Sequence, residues 1–142
     1  MKIKVKLVDG GKLPEYKTEE ASCADCYARL ATTFITIPNR ATTLINLGFA
    51  VELPKGYEMV VRPRSGLSSK GIVVAYGTVD SDYRGEVKAC ITNLSGGDFD
   101  IKNLERICQI KIQPTERHDF FEVDELSETE RGENGFGSTG TN

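Results

Sequence analysis

Tryptophan is absent from this 142-residue chain, and histidine occurs once, as His118. A lone imidazole excludes metal and acid–base sites that need two or more histidines. An excess of one charge is also missing. The 18 Lys and Arg against 21 Asp and Glu leave a formal charge of −3, too small for a nucleic-acid scaffold, so no nucleic acid is required as partner. No apolar run approaches the ~20 residues of a membrane span. The stretch Met1-Lys2-Ile3-Lys4-Val5-Lys6-Leu7 alternates charge with apolar residues and lacks the continuous apolar core of a signal peptide. A cytoplasmic location without membrane association is the expectation.

Helical periodicity is lacking too, since apolar residues nowhere recur at helical spacing for three turns. Short β-rich runs take its place: Ile3 to Leu7, Thr33 to Ile37, Leu44 to Leu47, Phe49 to Leu53, Met59 to Val61, Val87 to Thr92, Ile107 to Ile112 and Phe120 to Val123. Pro54-Lys55-Gly56 and Ser95-Gly96-Gly97-Asp98 punctuate them as turns. One short helical segment fits between Ser65 and Lys70. Many short strands without repeat or linker predict one all-β domain, a sandwich, jelly roll or barrel, over residues 1–126. Hydrophobic residues make up 39% of the chain, enough for a folded core.

The four cysteines are Cys23, Cys26, Cys90 and Cys108. Cys23-Ala24-Asp25-Cys26 is a lone CxxC without a second pair, so reduced core thiols are the simpler reading than zinc. From Ser127 the chain changes character: Glu-rich, then Arg131-Gly132-Glu133-Asn134-Gly135-Phe136-Gly137-Ser138-Thr139-Gly140. Such a segment cannot pack a core. It reads either as a disordered end or as a flexible arm, residues 127–142, that orders over a ligand. Gly135-x-Gly137-x-x-Gly140 matches a dinucleotide fingerprint by letter only, because no helix can follow it, and no Lys follows the glycines as a P-loop needs.

Two further clusters carry chemistry. In Arg62-Pro63-Arg64-Ser65-Gly66, Arg64 offers a guanidinium fork, Ser65 a hydroxyl, and Gly66 a backbone an anion can approach. In Asp80-Ser81-Asp82-Tyr83-Arg84-Gly85, two carboxylates at i and i+2 lie on one side of an extended segment. They fit a polar hairpin equally with a carboxylate placed to take a proton or hold a metal.

Together these clusters resemble the homotrimeric dUTP pyrophosphatase (dUTPase) family, whose five motifs occur in order across nearly the whole chain. The first is similar to Ala21 through Ala28, the second to Pro63-Arg64-Ser65-Gly66-Leu67 through Gly71-Ile72, and the third to Gly77 through Gly85. The fourth is similar to Arg106-Ile107-Cys108-Gln109, and the fifth to Arg131 through Gly140. The resemblance implies a distorted jelly-roll or β-clip barrel with at most one short helix, a flexible C-terminal arm and a trimeric state.

It also implies an activity, hydrolysis of dUTP to dUMP and pyrophosphate with Mg²⁺, which limits uracil in DNA and supplies dUMP. Asp80 maps to the base that activates water for attack on the α-phosphorus. A carboxylate is a weak base towards water, so alignment and charge stabilisation must carry most of the catalysis. Asp25 maps to an outer-shell contact, through water, to Mg²⁺ on the triphosphate. Arg64, Ser65, Gly66 and Gln109 map to phosphate contacts, with Ser65 near the α–β bridging oxygen.

Tyr83 maps to the residue under the deoxyribose, where its ring would collide with a 2′-hydroxyl. Backbone from Val74 through Thr78 and Val79 to Asp80, and again near Lys88, maps to uracil recognition. Arg131 maps to the γ-phosphate and Phe136 to the ring that stacks on uracil, with Gly137 and Ser138 in the same substrate-binding arm. Each family site is shared among three subunits, motifs one, two and four coming from one, motif three from another and motif five from the third.

The chain departs from the family pattern at Cys23, Cys26, Val74, Asn134 and Leu104-Glu105, none of which removes a charged or nucleophilic group. The related dCTP deaminases carry a glutamate base where Cys90 stands and lack the Arg131-to-Phe136 arm. A nucleotide-binding or regulatory module on the same fold, with a protein partner, is the alternative from another class.

Overall fold

The computed structural model describes residues 1–135. In chain order the strands are β1 (Lys4–Leu7), β2 (Ala24–Tyr27), β3 (Phe34–Ile37), β4 (Thr42–Asn46), β5 (Phe49–Glu52) and β6 (Tyr57–Arg62). The helical turn α1 (Ser65–Ser68) follows, then β7 (Ile72–Val74), β8 (Gly77–Val79), β9 (Lys88–Asn93), β10 (Phe99–Lys102) and β11 (Arg106–Pro114). The architecture is the expected all-β distorted jelly roll, with α1 its one short helix among the described residues. None of their helices is long and apolar enough to cross a membrane.

All strand pairs are antiparallel, in four small sheets: β1-β5, β10-β3, β2-β11-β6-β8 and β4-β9-β7. Their inner faces meet in a core built around Phe49, Ile37, Ile45, Leu47, Met59 and Ile72, each shielded from water. Asn93 is the one buried polar residue of this core among the described residues, and it is fully bonded. Its amide donates to Ile37 O and Gly97 O at 2.8 and 2.7 Å, and its Oδ1 accepts from Ser95 N and Oγ at 3.0 and 2.7 Å. A buried amide without partners would destabilise the fold by about 1–3 kcal/mol; here it pins the β9–β10 turn to β3.

The nine-residue β11 lies between β2 and β6 and sets the geometry of the functional face. Gln109 stands opposite Asp25 on one side and Arg62 on the other, so the three form a polar row across the sheet. The alternation of a strand sends their neighbours inward. Cys26 and Cys108 are cross-strand partners, both buried, and contact with Cys108 together with burial raises the Cys26 thiol well above its ordinary range.

Not every β-rich run is a strand. Phe120 to Val123 forms none, and no strand or helix follows Pro114 up to residue 135. Composition can favour a strand, but a strand also needs a partner strand to take its backbone hydrogen bonds. Phe120 and Phe121 pair with no strand among the described residues and are 97% and 82% exposed. Conversely β2, β7, β8 and β10, of three or four residues each, escape prediction.

Candidate active site

The first part of the site is a charge cluster on the polar row. Arg64 caps α1 with an extended backbone, which ends β6 and turns its side chain back over the sheet. Arg64 Nε donates to Asp25 Oδ1 at 3.0 Å, and its Nη1 donates to Arg106 O at 2.9 Å. Arg106 Nη1 donates to Asp25 Oδ2 at 2.9 Å. Gln109 Nε2 donates to Pro63 O at 2.8 Å, fixing the bend just before Arg64. The sequence motifs around Asp25, Arg64 and Gln109 are therefore knit together within one chain.

Two guanidiniums share one carboxylate, which leaves a net positive charge beside a partly open surface. Arg64 keeps donors unused by these bonds, in the fork geometry that suits phosphate oxygens. Ser65 and Gly66 open α1 and are exposed, and nothing lies within 4 Å of where a Cβ at Gly66 would sit. The first N–H groups of such a turn have no intrahelical acceptor. An anion therefore meets donors here without a steric barrier.

The second part is the segment from Val74 to Lys88. Val74 pairs with Ile91 in β7 and is buried, so only its backbone is available to a ligand. The chain then crosses to the other sheet, where Thr78 pairs with Val60 and Val79 with Met59. Asp80 follows at the exposed end. Neither Asp80 nor Asp82 has a carboxylate partner among the described residues, and both line a cleft of about 860 Å³ with Ser81, Arg84, Glu58 and Arg117. The turn is closed by Tyr83 N donating to Asp80 O at 3.2 Å and by Arg84 Nη1 donating to Ser81 O and Tyr83 O at 2.7 and 2.9 Å. The Tyr83 ring lies over Gly85, where any Cβ would collide with the phenol. Lys88 is exposed at the start of β9, opposite Asn46.

A pair that sequence reasoning missed anchors this segment. Arg29 grips Glu86 through two bonds, Nε to Oε1 at 2.7 Å and Nη2 to Oε2 at 2.9 Å, and Gly48 N adds a third at 3.0 Å. Arg29's hydrogen bonds, helped by that of Gly48 and opposed by burial, hold Glu86 below its ordinary 4.5. Residues 29 and 86 share no local pattern, so only the fold brings them together. Arg106 stood inside a recognised motif, but nothing in its spacing marked it as a partner of Asp25.

One chain does not bring the two parts together. Asp80 follows Val79, which pairs with Met59 near one end of β6, whereas Arg64 lies beyond Arg62 at the other end. Strand rise puts them roughly 15–20 Å apart, and the cleft at Asp80 includes neither Arg64 nor Gln109. Arg131 is exposed, its Nε donating to Asn134 O at 2.9 Å. Phe136, Gly137 and Ser138 lie outside the described residues.

Comparison with known proteins gives this arrangement a family. The dUTPase family model matches residues 9–140. A deoxyuridine 5'-triphosphate nucleotidohydrolase of Treponema denticola is 50% identical over 143 residues, 99% of each chain. The Staphylococcus bacteriophage 80alpha dUTPase with dUPNHPP is 27% identical, superposes with a TM-score of 0.88, and aligns over 99% of each chain. A phage phi11 dUTPase from S. aureus, which coordinates a structural Mg(II) ion, is 21% identical with a TM-score of 0.80, covering 89% of this chain and 99% of its own. That last likeness concerns the fold alone. With the family model spanning nearly the whole sequence and a relative at half identity end to end, the chain belongs to the dUTPase family.

Proposed function

We propose that this chain hydrolyses dUTP to dUMP and pyrophosphate, with Asp80 as the base and with sites completed between copies of the chain. The division of charge carries the reading. A net-positive Arg64–Asp25–Arg106 cluster, with Ser65, Gly66 and Gln109 beside it, suits a triphosphate. A carboxylate at Asp80 with no partner among the described residues suits proton abstraction. In the reaction the water oxygen bonds to the α-phosphorus as the bond to the α–β bridging oxygen breaks. The water proton passes to Asp80, and the leaving pyrophosphate takes the negative charge near Ser65.

Asp25 fits an outer-shell role towards Mg²⁺ carried by the substrate. Each of its oxygens already accepts one guanidinium N–H and keeps a lone pair for a metal-bound water. The ion, when bound, neutralises phosphate charge. Tyr83 lies under the deoxyribose, backbone from Val74 to Asp80 and near Lys88 reads uracil, and Arg131 reaches the γ-phosphate from an arm of residues 127–142. The proposed location is the cytoplasm, with its nucleotide pool.

The separation of Asp80 from Arg64 supports a homotrimer in which one copy supplies the cluster and another the hairpin. Exposed apolar surface supports it too. Phe120 and Phe121 stand free of the fold, and the outer face of β4-β9-β7 presents Leu44, Val73 and Leu94.

The test is a panel of dUTP, dTTP, dCTP and UTP with Mg²⁺, assayed for pyrophosphate and ammonia. Pyrophosphate from dUTP alone is expected. Ammonia from dCTP would point to a deaminase, and binding of dUTP without turnover to a regulatory module.

A further inference from the structure

We infer that Arg29 and Glu86 determine sugar specificity: their ion pair positions the Tyr83 ring and thereby sets how strongly the enzyme prefers dUTP over UTP. The inference rests on the proposed role of Tyr83 beneath the deoxyribose and extends it to two residues that touch no substrate.

The geometry is a clamp. Tyr83 is tied at both ends, its N–H donating to Asp80 O at 3.2 Å and its hydroxyl to Glu86 O at 3.2 Å. The second tie is only as firm as the backbone of Glu86. That backbone is fixed because the Glu86 carboxylate is bonded at both oxygens by Arg29 and again by Gly48 N. The pair is largely withdrawn from water, its side chains 24% and 17% exposed, so it is screened less than a surface pair.

Arg29 is itself seated on the body of the fold. Its N–H donates to Asn46 O at 2.8 Å, and its side chain packs over Gly48. A Cβ at Gly48 would approach Arg29 Cβ and Cδ to 3.2 Å, and the positive φ of 77° also favours glycine there. After Glu86 the chain enters the core through Val87, whose N–H donates to Phe49 O at 2.9 Å. The clamp thus ties an exposed aromatic ring to the rigid β4–β5 turn.

Rejection of a 2′-hydroxyl depends on a ring that cannot yield. A contact that excludes one extra oxygen loses its force if the ring retreats by a few tenths of an ångström, since repulsion falls steeply with distance. Weakening the clamp should therefore cost discrimination more than turnover. A lysine at position 29 keeps the charge but cannot form the two-pronged bond.

The experiment compares kcat/KM for dUTP and UTP in the full chain. Glu86→Gln and Arg29→Met should each lower the dUTP/UTP ratio about tenfold, within the range that steric discrimination of one small group supplies. Arg29→Lys should restore part of it. Tyr83→Phe removes only the hydroxyl that reaches Glu86 and should lower the ratio by about threefold, a smaller loss because the pair itself stays intact. It also serves if the charge variants do not fold. Tyr83→Ala is the control for the underlying reading. If Tyr83→Ala relaxes UTP exclusion but the clamp variants and Tyr83→Phe lower both kcat/KM values in parallel, the pair is structural only and the inference is overturned. If Tyr83→Ala leaves UTP excluded, the role of the ring is wrong and the clamp falls with it. Absence of dUTP turnover in the unaltered protein would overturn the activity itself.

Discussion

The Arg64 cluster and the Asp80 hairpin solve opposite electrostatic problems. At Asp25 both carboxylate oxygens are occupied by guanidiniums from the same chain, and the side chain is only 12% exposed. At Asp80 the carboxylate faces a cleft with no partner among the described residues. The first arrangement is finished within one chain and offers fixed donors, which suits a group that must hold charge. The second is left open and suits a group that must receive a proton. Their separation along β6 leaves the two regions at opposite ends of one strand, the feature on which the proposed sharing of sites between copies rests.

Removing the acid at the open end is the most damaging change. Asp80→Asn keeps size and polarity but cannot take a proton, so kcat should fall by about 10²–10⁴-fold. Calorimetric titration with a non-hydrolysable dUTP analogue should still show binding. Turnover near the normal rate would remove Asp80 from the mechanism and make the two regions equivalent.

Mixing two inactive variants tests whether the regions meet between chains. Asp80→Asn retains the cluster, and Arg64→Gln retains the hairpin. Co-refolded at equal ratio, random assembly places an intact cluster against an intact hairpin in about one quarter of sites. Activity should return to that order, measured against either variant refolded alone. No recovery, in mixtures shown to have exchanged subunits, would place both regions in a single-chain site.

A weaker change probes the closed end. Arg106→Gln leaves Asp25 to Arg64 alone and takes the cluster from net positive to neutral. KM for dUTP should rise about tenfold, the equivalent of ~1.4 kcal/mol. The melting temperature should move little, because Arg106 is the exposed member of its pair and Arg64 still partners Asp25. A large loss of stability with unchanged KM would show that Arg106 only braces the sheet.

How legible each region was follows from its physics. The hairpin residues are contiguous, so Asp80 and Tyr83 stood out in one stretch of sequence. The cluster joins positions 25, 64, 106 and 109, and the sequence showed its members through motif resemblance, not their mutual bonds. The Arg106–Asp25 pair spans 81 positions and the Arg29–Glu86 pair 57, distances at which no local periodicity speaks. Strands long enough to alternate, such as β6, β9 and β11, were readable, while β7 and β8 depend on neighbours that only the fold supplies. Phe120 to Val123 failed in the other direction: its composition is that of a strand, yet it pairs with no strand among the described residues.

The smallest expected effect lies at the base of the hairpin, where charge is paired as it is in the cluster. Glu86 is held below its ordinary 4.5 by Arg29, so folding is favoured by the ionised form. A lowered folded-state value contributes stability that is fully present above the unfolded value and lost as pH falls through the folded one. Glu86→Gln should therefore be less stable than the unaltered chain at pH 7, by about 1–2 kcal/mol for a partly buried pair. The gap should narrow as pH falls below 4.5, because protonation removes from Glu86 the charge that glutamine already lacks. Urea unfolding at several pH values between 7 and 3 measures it. A gap that stays constant over that range would mean Glu86 acts through its shape and not its charge, and the hairpin would then be anchored by packing alone.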